Sequence, residues 1–403
     1  MDDLIRSTIQ EALAVEHPPA GLRARVIGAV PMDVRPPRPR RVRSFQWAAG
    51  AVAIVLAASV IAELAYARNN ATIRPAHPAS GTRLISPEGI AVAPDGTIYI
   101  SDYVGNRVYR LEPNGSLVTV AGGGSAYEGP ATKSNIIGPA GLTFDQSGNL
   151  YFADNRGSTV RRVDRNGMLT TVLTIQGAGA DFNSPLGVAF DASGMLYVGD
   201  FNGDVVAVQP DGSLTRLDLS AIASPPPIPG YLAFDSGGNL YVADRSPNPY
   251  FVGQSIQDPA GGCRIIRVKP DRSATVVAGT GKCGYSGDGG PAVSAELNDP
   301  NGIVFDSAGN LYFSDSNNHR IRRIDSRGVI TTVVGTGAMG HGGDGGPASK
   351  ATLSYPHGMA IRNGNLLYIS DVSDTSGRVR VIQLPDGAIT TLASGQSRVI
   401  TPP

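Results

Sequence analysis

The chain has 403 residues, with abundant Gly (51) and Pro (30) and only 17 % charged residues. This is the composition of many short strands and turns, and it excludes a long helical enzyme. Lys plus Arg and Asp plus Glu balance at 34 each, so no overall field draws in a polyanion, and nucleic acid is excluded as a partner.

Residues 1–44 read as a cytoplasmic tail. Leu4, Ile5, Ile9 and Leu13 recur at helical spacing, His17-Pro18-Pro19 breaks the run, and Leu22, Val26, Ile27 and Val30 suggest a second short helix. This helix–PP–helix segment resembles the cytoplasmic tails of some bacterial anti-sigma-type proteins, though without their usual His and Cys zinc ligands. The tail either fixes topology or binds a cytoplasmic partner. Residues 45–67, FQWAAGAVAIVLAASVIAELAYA, carry no charge before Glu63 and follow Arg35, Arg38, Arg40, Arg41 and Arg43. A stretch of this length spans a bilayer as one helix, and the Arg cluster keeps its N-terminal side in the cytoplasm. The remainder of the chain is then extracytoplasmic, in a single-pass protein of a bacterial cell membrane; many Arg beside few Lys fits a GC-rich bacterium. Ala65-Tyr66-Ala67 leaves open the alternative of secretion after cleavage near Ala67. Residues 68–83 read as a polar linker.

From residue 84 to residue 396 one phrase recurs six times: Gly, any residue, an aliphatic, Tyr, two residues, Asp, with one extra residue in the last copy. Its anchors are Tyr99 and Asp102, Tyr151 and Asp154, Tyr197 and Asp200, Tyr241 and Asp244, Tyr312 and Asp315, and Tyr368 and Asp371. Each phrase follows a Gly- and aliphatic-rich strand, such as GIAV at Gly89 or GIVF at Gly302, and most precede a strand such as RIRRID and a further strand. Four short strands in each unit of about 50 residues, with no helical period, predict a six-bladed all-β propeller of four-stranded antiparallel blades. The aliphatic and the Tyr point to opposite faces, and both faces are apolar because each blade is sandwiched between two others. The repeat Asp is expected to accept amides of the turn that follows it, a structural role rather than a catalytic one.

Phrases such as GNLYFSDSNNHRIRRID (309–325) resemble NHL repeats. Blade three departs from the pattern at Gly203-Asp204, and blade four carries an insertion from Ser246 to about Gly262. A strand from 71–74 or 398–401 is a candidate for closing the ring, with 397–403 as a C-terminal tail.

The long loops lie on one face: residues 122–135, 279–299 and 335–354. Long loops on a rigid scaffold are where binding usually resides. Their GTGxxG runs follow an outer strand and precede no helix, so they do not read as phosphate loops. Cys263 and Cys283 fall on the same face, too far apart in sequence and too poor in His partners for zinc, and are expected to form a disulfide. The residue before each GIAV-like phrase should ring the channel mouth: Glu88, Ala140, Leu186, Gly230 or Tyr231, Asn301 and His357. Because blades five, six and one are ring neighbours, Asn301, His357 and Glu88 form a candidate ligand-binding cluster. Glu88-Gly89 and Asn301-Gly302 resemble the channel-mouth positions of gluconolactonase and lactonase-like propellers, which implies a divalent cation such as calcium; the other ligands of that site have no counterpart. The amidating-lyase relatives of the repeat use several channel His residues, and only His357 fits.

No GxSxG elbow or HExxH pair occurs. The sequence therefore favours a membrane-tethered module, with no cofactor expected, that binds, senses or scaffolds a protein, peptide or glycan through its loop-rich face. It resembles the external NHL domains of bacterial receptor kinases without a kinase. The alternative is a cation-dependent, lactonase-like hydrolase or lyase at the channel mouth.

Overall fold

A computed structural model of the protein describes residues 83–174, 184–200, 203, 205–209, 212–220, 222, 227–245, 262–373, 376–385 and 387–394. The tail 1–44, the apolar stretch 45–67, most of the linker, the insertion after Arg245, the candidate closing strands 71–74 and 398–401 and the C-terminal tail lie outside these residues. No helix among the described residues is long and apolar enough to cross a membrane.

The described residues form six antiparallel sheets, each built from strands consecutive in sequence. The innermost strands are Pro87–Val92, Pro139–Phe144, Pro185–Phe190, Pro229–Phe234, Pro300–Phe305 and Tyr355–Arg362. Each packs against the next, and the last packs against the first, so the blades form a closed ring. Every blade opens its inner strand with Pro, or has Pro as that strand's second residue in blade six. An edge strand facing a channel tolerates the missing donor there. Blade six meets blade one through Ile90, Ile98, Ile100 and Tyr109 on one side and Tyr368, Val379 and Val381 on the other. Among the described residues, face-to-face packing of whole blades closes the ring, and no sheet mixes strands from the two ends of the chain.

The strand-two Tyr explains the packing between blades. Tyr99, Tyr151, Tyr197 and Tyr241 each meet the Phe that ends the following blade's inner strand (Phe144, Phe190, Phe234 and Phe305) edge-on, with ring centroids 4.9–5.0 Å apart. Each such pair adds about 0.5–1.5 kcal/mol beyond the area it buries. The repeat Asp ties the segment entering its own blade to strand two. Asp102 accepts from the amides of Ile85 and Ser86, Asp154 from Ile137, Asp244 from Ile228, Asp315 from Asn298 and Asp371 from Ser354. The turn that follows, expected to supply these donors, contributes the Gly105 amide to Asp102. The incoming segment is the one whose amides would otherwise be buried without acceptors.

The three long loops, expected to be binding elements, are fastened to the fold. Each runs down the outer edge of the next blade: Gly129–Pro130 pairs with Met168 and Leu169, Gly289 and Gly290 exchange hydrogen bonds with Ile330, and Gly345 and Gly346 with Ile389. This covers sheet edges that would otherwise template association. Fully buried arginines hold the loops from within. Arg322 donates to the Ser286 and Glu296 carbonyls and to Asp288, and Arg380 to the Gly342 and Thr352 carbonyls and to Asp344. Arg161 donates to the Tyr127 carbonyl. Cys263 and Cys283 are disulfide-bonded, Cα to Cα 5.4 Å, joining the start of blade four's third strand to its exit loop.

Candidate functional site at the channel mouth

The backbone creates the mouth before any side chain decorates it. In every inner strand the register slips just after the Pro, at the position of the mouth residue. Such bulges re-aim a side chain out of the strand's alternation. The next residue is Gly in five blades because the following blade's mouth carbonyl lies against it. A Cβ on Gly89, Gly141, Gly187, Gly302 or Gly358 would fall 2.3–2.5 Å from the carbonyl of Ala140, Leu186, Gly230, His357 or Glu88 respectively. Blade four inverts the pair, with Gly230 at the mouth and Tyr231 after it.

A second device appears in blades five, six and one alone. The residue before the repeat Asp is Ser there, and Ala or Gly in the other three. The Ser101 hydroxyl accepts from the Gly89 amide (2.7 Å) and donates to the Ala140 carbonyl (2.6 Å). Ser314 links the Gly302 amide to the His357 carbonyl, both at 2.8 Å, and Ser370 donates to the carbonyls of Glu88 (2.9 Å) and Gly358 (3.1 Å). The blades that carry Glu88, Asn301 and His357 are therefore the ones whose bulges are locked by a hydroxyl. The Ser before the repeat Asp was a signal available in the sequence.

Of the three residues selected from sequence, the structure brings Glu88 and His357 into contact, with His357 Nδ1 2.7 Å from Glu88 Oε2 across the junction of blades six and one. Asn301 is fully buried at the equivalent position of blade five, and neither its Oδ1 nor its Nδ2 has a partner among the described residues. An amide buried this way costs on the order of 1–3 kcal/mol for each group left unsatisfied, so in native proteins a water or bound group usually completes it.

Two further residues belong to the cluster. Arg245, immediately after a repeat Asp, passes over Gly230, where a Cβ would fall 2.8 Å from its Cδ. Its guanidinium meets Asp299 in a two-pronged contact, Nε to Oδ1 3.0 Å and Nη2 to Oδ2 3.1 Å. Burial alone would discourage its charge, but Asp299 and, further off, Glu88 reverse that and raise its pKa above the ordinary value. The same position reaches the next blade elsewhere: the Tyr103 hydroxyl donates to Asn155, Asn155 to the Ser184 and Pro185 carbonyls, and Ser316 to the Pro356 carbonyl.

Burial also works against a charged His357, but the neighbouring Glu88 carboxylate outweighs it and holds the imidazole's pKa above its usual value. Tyr231 packs in one cluster with Ala140 and Leu186. Its hydroxyl has no partner among the described residues and is pushed well above the ordinary tyrosine range by burial and by the field of Glu88. Blades four and one stand opposite each other, so Tyr231 and Glu88 interact across the axis. The mouth is thus divided: blades two and three offer Ala140 and Leu186, which share a cluster with Tyr231, while blades four to one offer Arg245, Asp299, Asn301, His357 and Glu88.

The donor set suits a divalent cation poorly. Glu88 is engaged by His357, Asp299 by Arg245, and a dication there would face a guanidinium. Among the described residues no group of three or more His, Cys, Asp or Glu side chains is placed to hold a metal. His319 and His341 are structural ties. His319 Nδ1 contacts the Ser354 carbonyl beneath the Tyr355 ring, and His341 Nδ1 lies 2.9 Å from Asp371.

Family models for the teneurin NHL domain and for the SMP-30/gluconolactonase/LRE-like region match residues 176–341 and 86–244. Teneurin-1 of Gallus gallus is 33 % identical over 151 residues, covering 36 % of this chain and 5 % of that protein. Human teneurin-4 is 29 % identical over 325 residues, covering 72 % of this chain and 10 % of that protein. The chain therefore spans a small part of these relatives. A solved structure of a protein of unknown function from Bacteroides thetaiotaomicron superposes with a TM-score of 0.57 at 17 % identity, covering 77 % of this chain and 71 % of that one. That likeness shows the fold. The fold is a six-bladed propeller, and parts of it are similar to the NHL and gluconolactonase-like families.

Proposed function

We propose that the propeller is a binding module whose ligand, a protein, peptide or glycan, is read at the divided channel mouth. One observation carries the reading: Asn301, fully buried with both ends of its amide unpartnered among the described residues, sits beside two charged pairs on one half of the ring. A ligand group that both donates and accepts would complete that amide while its apolar part met Tyr231. NHL propellers generally mediate protein binding, which supports the same role. The clamped loops then act as a rigid rim, and recognition lies inside them.

The setting belongs to the same proposal. The apolar stretch 45–67 behind its Arg cluster supports a single-pass tether in a bacterial membrane, and the Cys263–Cys283 disulfide supports an oxidising, extracytoplasmic location for the propeller. Probing a peptide library and a glycan array with the full chain tests the site. Asn301→Ala and Glu88→Gln should each lower the signal of any hit at least about tenfold, equivalent to about 1.4 kcal/mol. Hits that survive both changes unaltered would remove the mouth from the reading. A pull-down with residues 1–44 that recovers only background would remove a cytoplasmic partner.

A second reading, a hydrolase or lyase at the same mouth, is favoured by the 2.7 Å contact of Glu88 with His357. A carboxylate that orients an imidazole leaves the other ring nitrogen to move a proton. Its cation-dependent form needs Glu88 released from His357. Metal content of the purified chain before and after Glu88→Ala and Asn301→Ala, read beside hydrolysis of gluconolactone, separates the two. Stoichiometric metal lost in both variants together with turnover favours the enzyme, and neither favours the binding module.

A further inference from the structure

The segments that cover the outer edges of blades two, five and six share one sequence pattern. Pro130-Ala131, Pro291-Ala292 and Pro347-Ala348 each begin nine residues before the Pro of the inner strand, and Ile136, Leu297 or Leu353 stands three residues before it. Each position has a task. The first Pro pairs with Met168, Val329 or Ala388 at the outer edge. The buried Ala donates its amide to the carbonyl of Gly167, Gly328 or Gly387 in the outer hairpin, and accepts from the amide of Gly122, Gly279 or Gly335 at the end of the preceding blade. The Ile or Leu is fully buried. One short segment thus clips each of these blades to the one before it.

The spacing occurs a fourth time ahead of blade one, with Pro78-Ala79 beginning nine residues before Pro87 and Leu84 three before it. Leu84 is fully buried, like its three counterparts. The edge that such a segment would cover is Leu117–Ala121, where the sheet of blade one stops among the described residues. Leu117 is half-buried and Val118 exposed, whereas Leu169, Ile330 and Ile389, which match Leu117 in register beneath the other segments, are buried. The pattern is not general to the repeat, since blades three and four have Gln176-Gly177 and Ser220-Ala221 at the place of the Pro-Ala pair. Blade one also lacks the lock upstream of it. Tyr109 stands where blades five and six bury Arg322 and Arg380, and Pro75 stands where Asp288 and Asp344 meet those arginines. Both partners of the ion pair are missing together, which sets the start of the matching segment at about His77.

We propose that residues 77–84 dock on the outer edge of blade one and clip it to blade six. Pro78 then lies against Ser116, the Leu117 amide donates to the His77 carbonyl, the Ala79 amide donates to the Gly115 carbonyl, and the Ala79 carbonyl faces Ser394 at the end of blade six. An edge that would otherwise template association is covered, and the ring is tied by the segment that joins it to the apolar stretch 45–67. The free tether shortens from residues 68–83 to residues 68–76, roughly 30 Å at full extension.

Cysteine pairs in the purified full chain, mapped by peptide mass spectrometry, test the register. Pro78→Cys with Ser116→Cys should close within one chain, because bridged antiparallel residues have Cα atoms roughly 4.5–5.5 Å apart, within disulfide reach. Ala71→Cys with Ser116→Cys, outside the matching segment, should stay mostly open. Ala79→Glu places a carboxylate where the other segments bury a methyl group, and should speed hydrogen exchange at the Leu117 amide at least about tenfold while leaving the Ile330 amide unchanged. The proposal is overturned if the Pro78–Ser116 pair closes no faster than the control, if it closes between two chains, which would make a second copy the occupant, or if the Leu117 amide is unprotected before any substitution.

Discussion

The two halves of the channel mouth share one backbone and differ in chemistry. Blades two and three have the same bulge and the same Gly against the neighbouring carbonyl as blades five, six and one. Yet blades two and three present Ala140 and Leu186 over Ala153 and Gly199, whereas the others present Glu88, Asn301 and His357 over Ser101, Ser314 and Ser370. The repeat thus builds a uniform ring of aimed positions, and single residues at those positions write the site. A hydroxyl under the bulge accompanies a polar residue upon it, because a polar group turned inward is useful only if its backbone cannot drift.

The largest effect that would break this contrast is expected from Arg245→Ala. Removing the guanidinium strands Asp299, with its side chain 4 % exposed, as an uncompensated buried charge, and should cost about 3–5 kcal/mol in urea unfolding. The double change with Asp299→Ala should recover part of that loss. If Arg245→Ala is no worse than alanine at a surface arginine such as Arg165, the polar half is ornament on the scaffold.

Glycine substitutions come next, and they should treat both halves alike. Gly141→Ala in the apolar half and Gly358→Ala in the polar half each push a Cβ into a backbone carbonyl 2.3–2.5 Å away, and each should cost about 3 kcal/mol, the upper end for overpacking. Unequal losses would show that the ring is not uniform.

Ser370→Ala should cost about 1–2 kcal/mol by stranding the buried Glu88 carbonyl, and should weaken ligand binding through Glu88 more than it weakens the fold. Ala153→Ser in blade two should gain nothing in binding, which an assay of both variants against the same hit would check.

The smallest effect is in the pH dependence. His357 is held above its ordinary value of 6.5, so the stability its charge contributes is full below about that pH and fades as pH rises through the higher, folded value. Asp154 and Asp315, pushed up to about 6 by burial, act in a lower window. Their contribution is full below 3.8 and lost as pH rises to about 6. Melting temperatures across pH 4–9 should show both declines, and Glu88→Gln should erase the upper one alone; an unchanged upper decline would count against the Glu88–His357 pair.

Much of the fold was legible in order of residues. The Tyr–Asp phrase announced six blades because each blade must make the same contacts with its neighbours, so the same residues return at the same spacing. Glu88 and His357 could be selected from sequence because the ring makes residues 88 and 357 neighbours once six blades are counted. Arg245 and Asp299 were missed, since 54 positions separate them and only the next-blade reach of the residue after the repeat Asp joins them. The long loops misled for a related reason. Their Gly-rich runs look free, but the GDGG turns hydrogen-bond the next blade's edge, and Asp288 and Asp344 neutralise arginines that the strands bury.

By itself, then, the sequence determined the number of blades, their internal order and the candidate ring, because those are periodic, and periodicity survives without coordinates. The tertiary structure decided which ring members meet, that the loops are fastened, and that a hydroxyl locks the bulge in three of the blades. Those depend on distances between residues of different blades, where a single side chain, such as Arg245 against Asp299, decides whether a buried charge is paired.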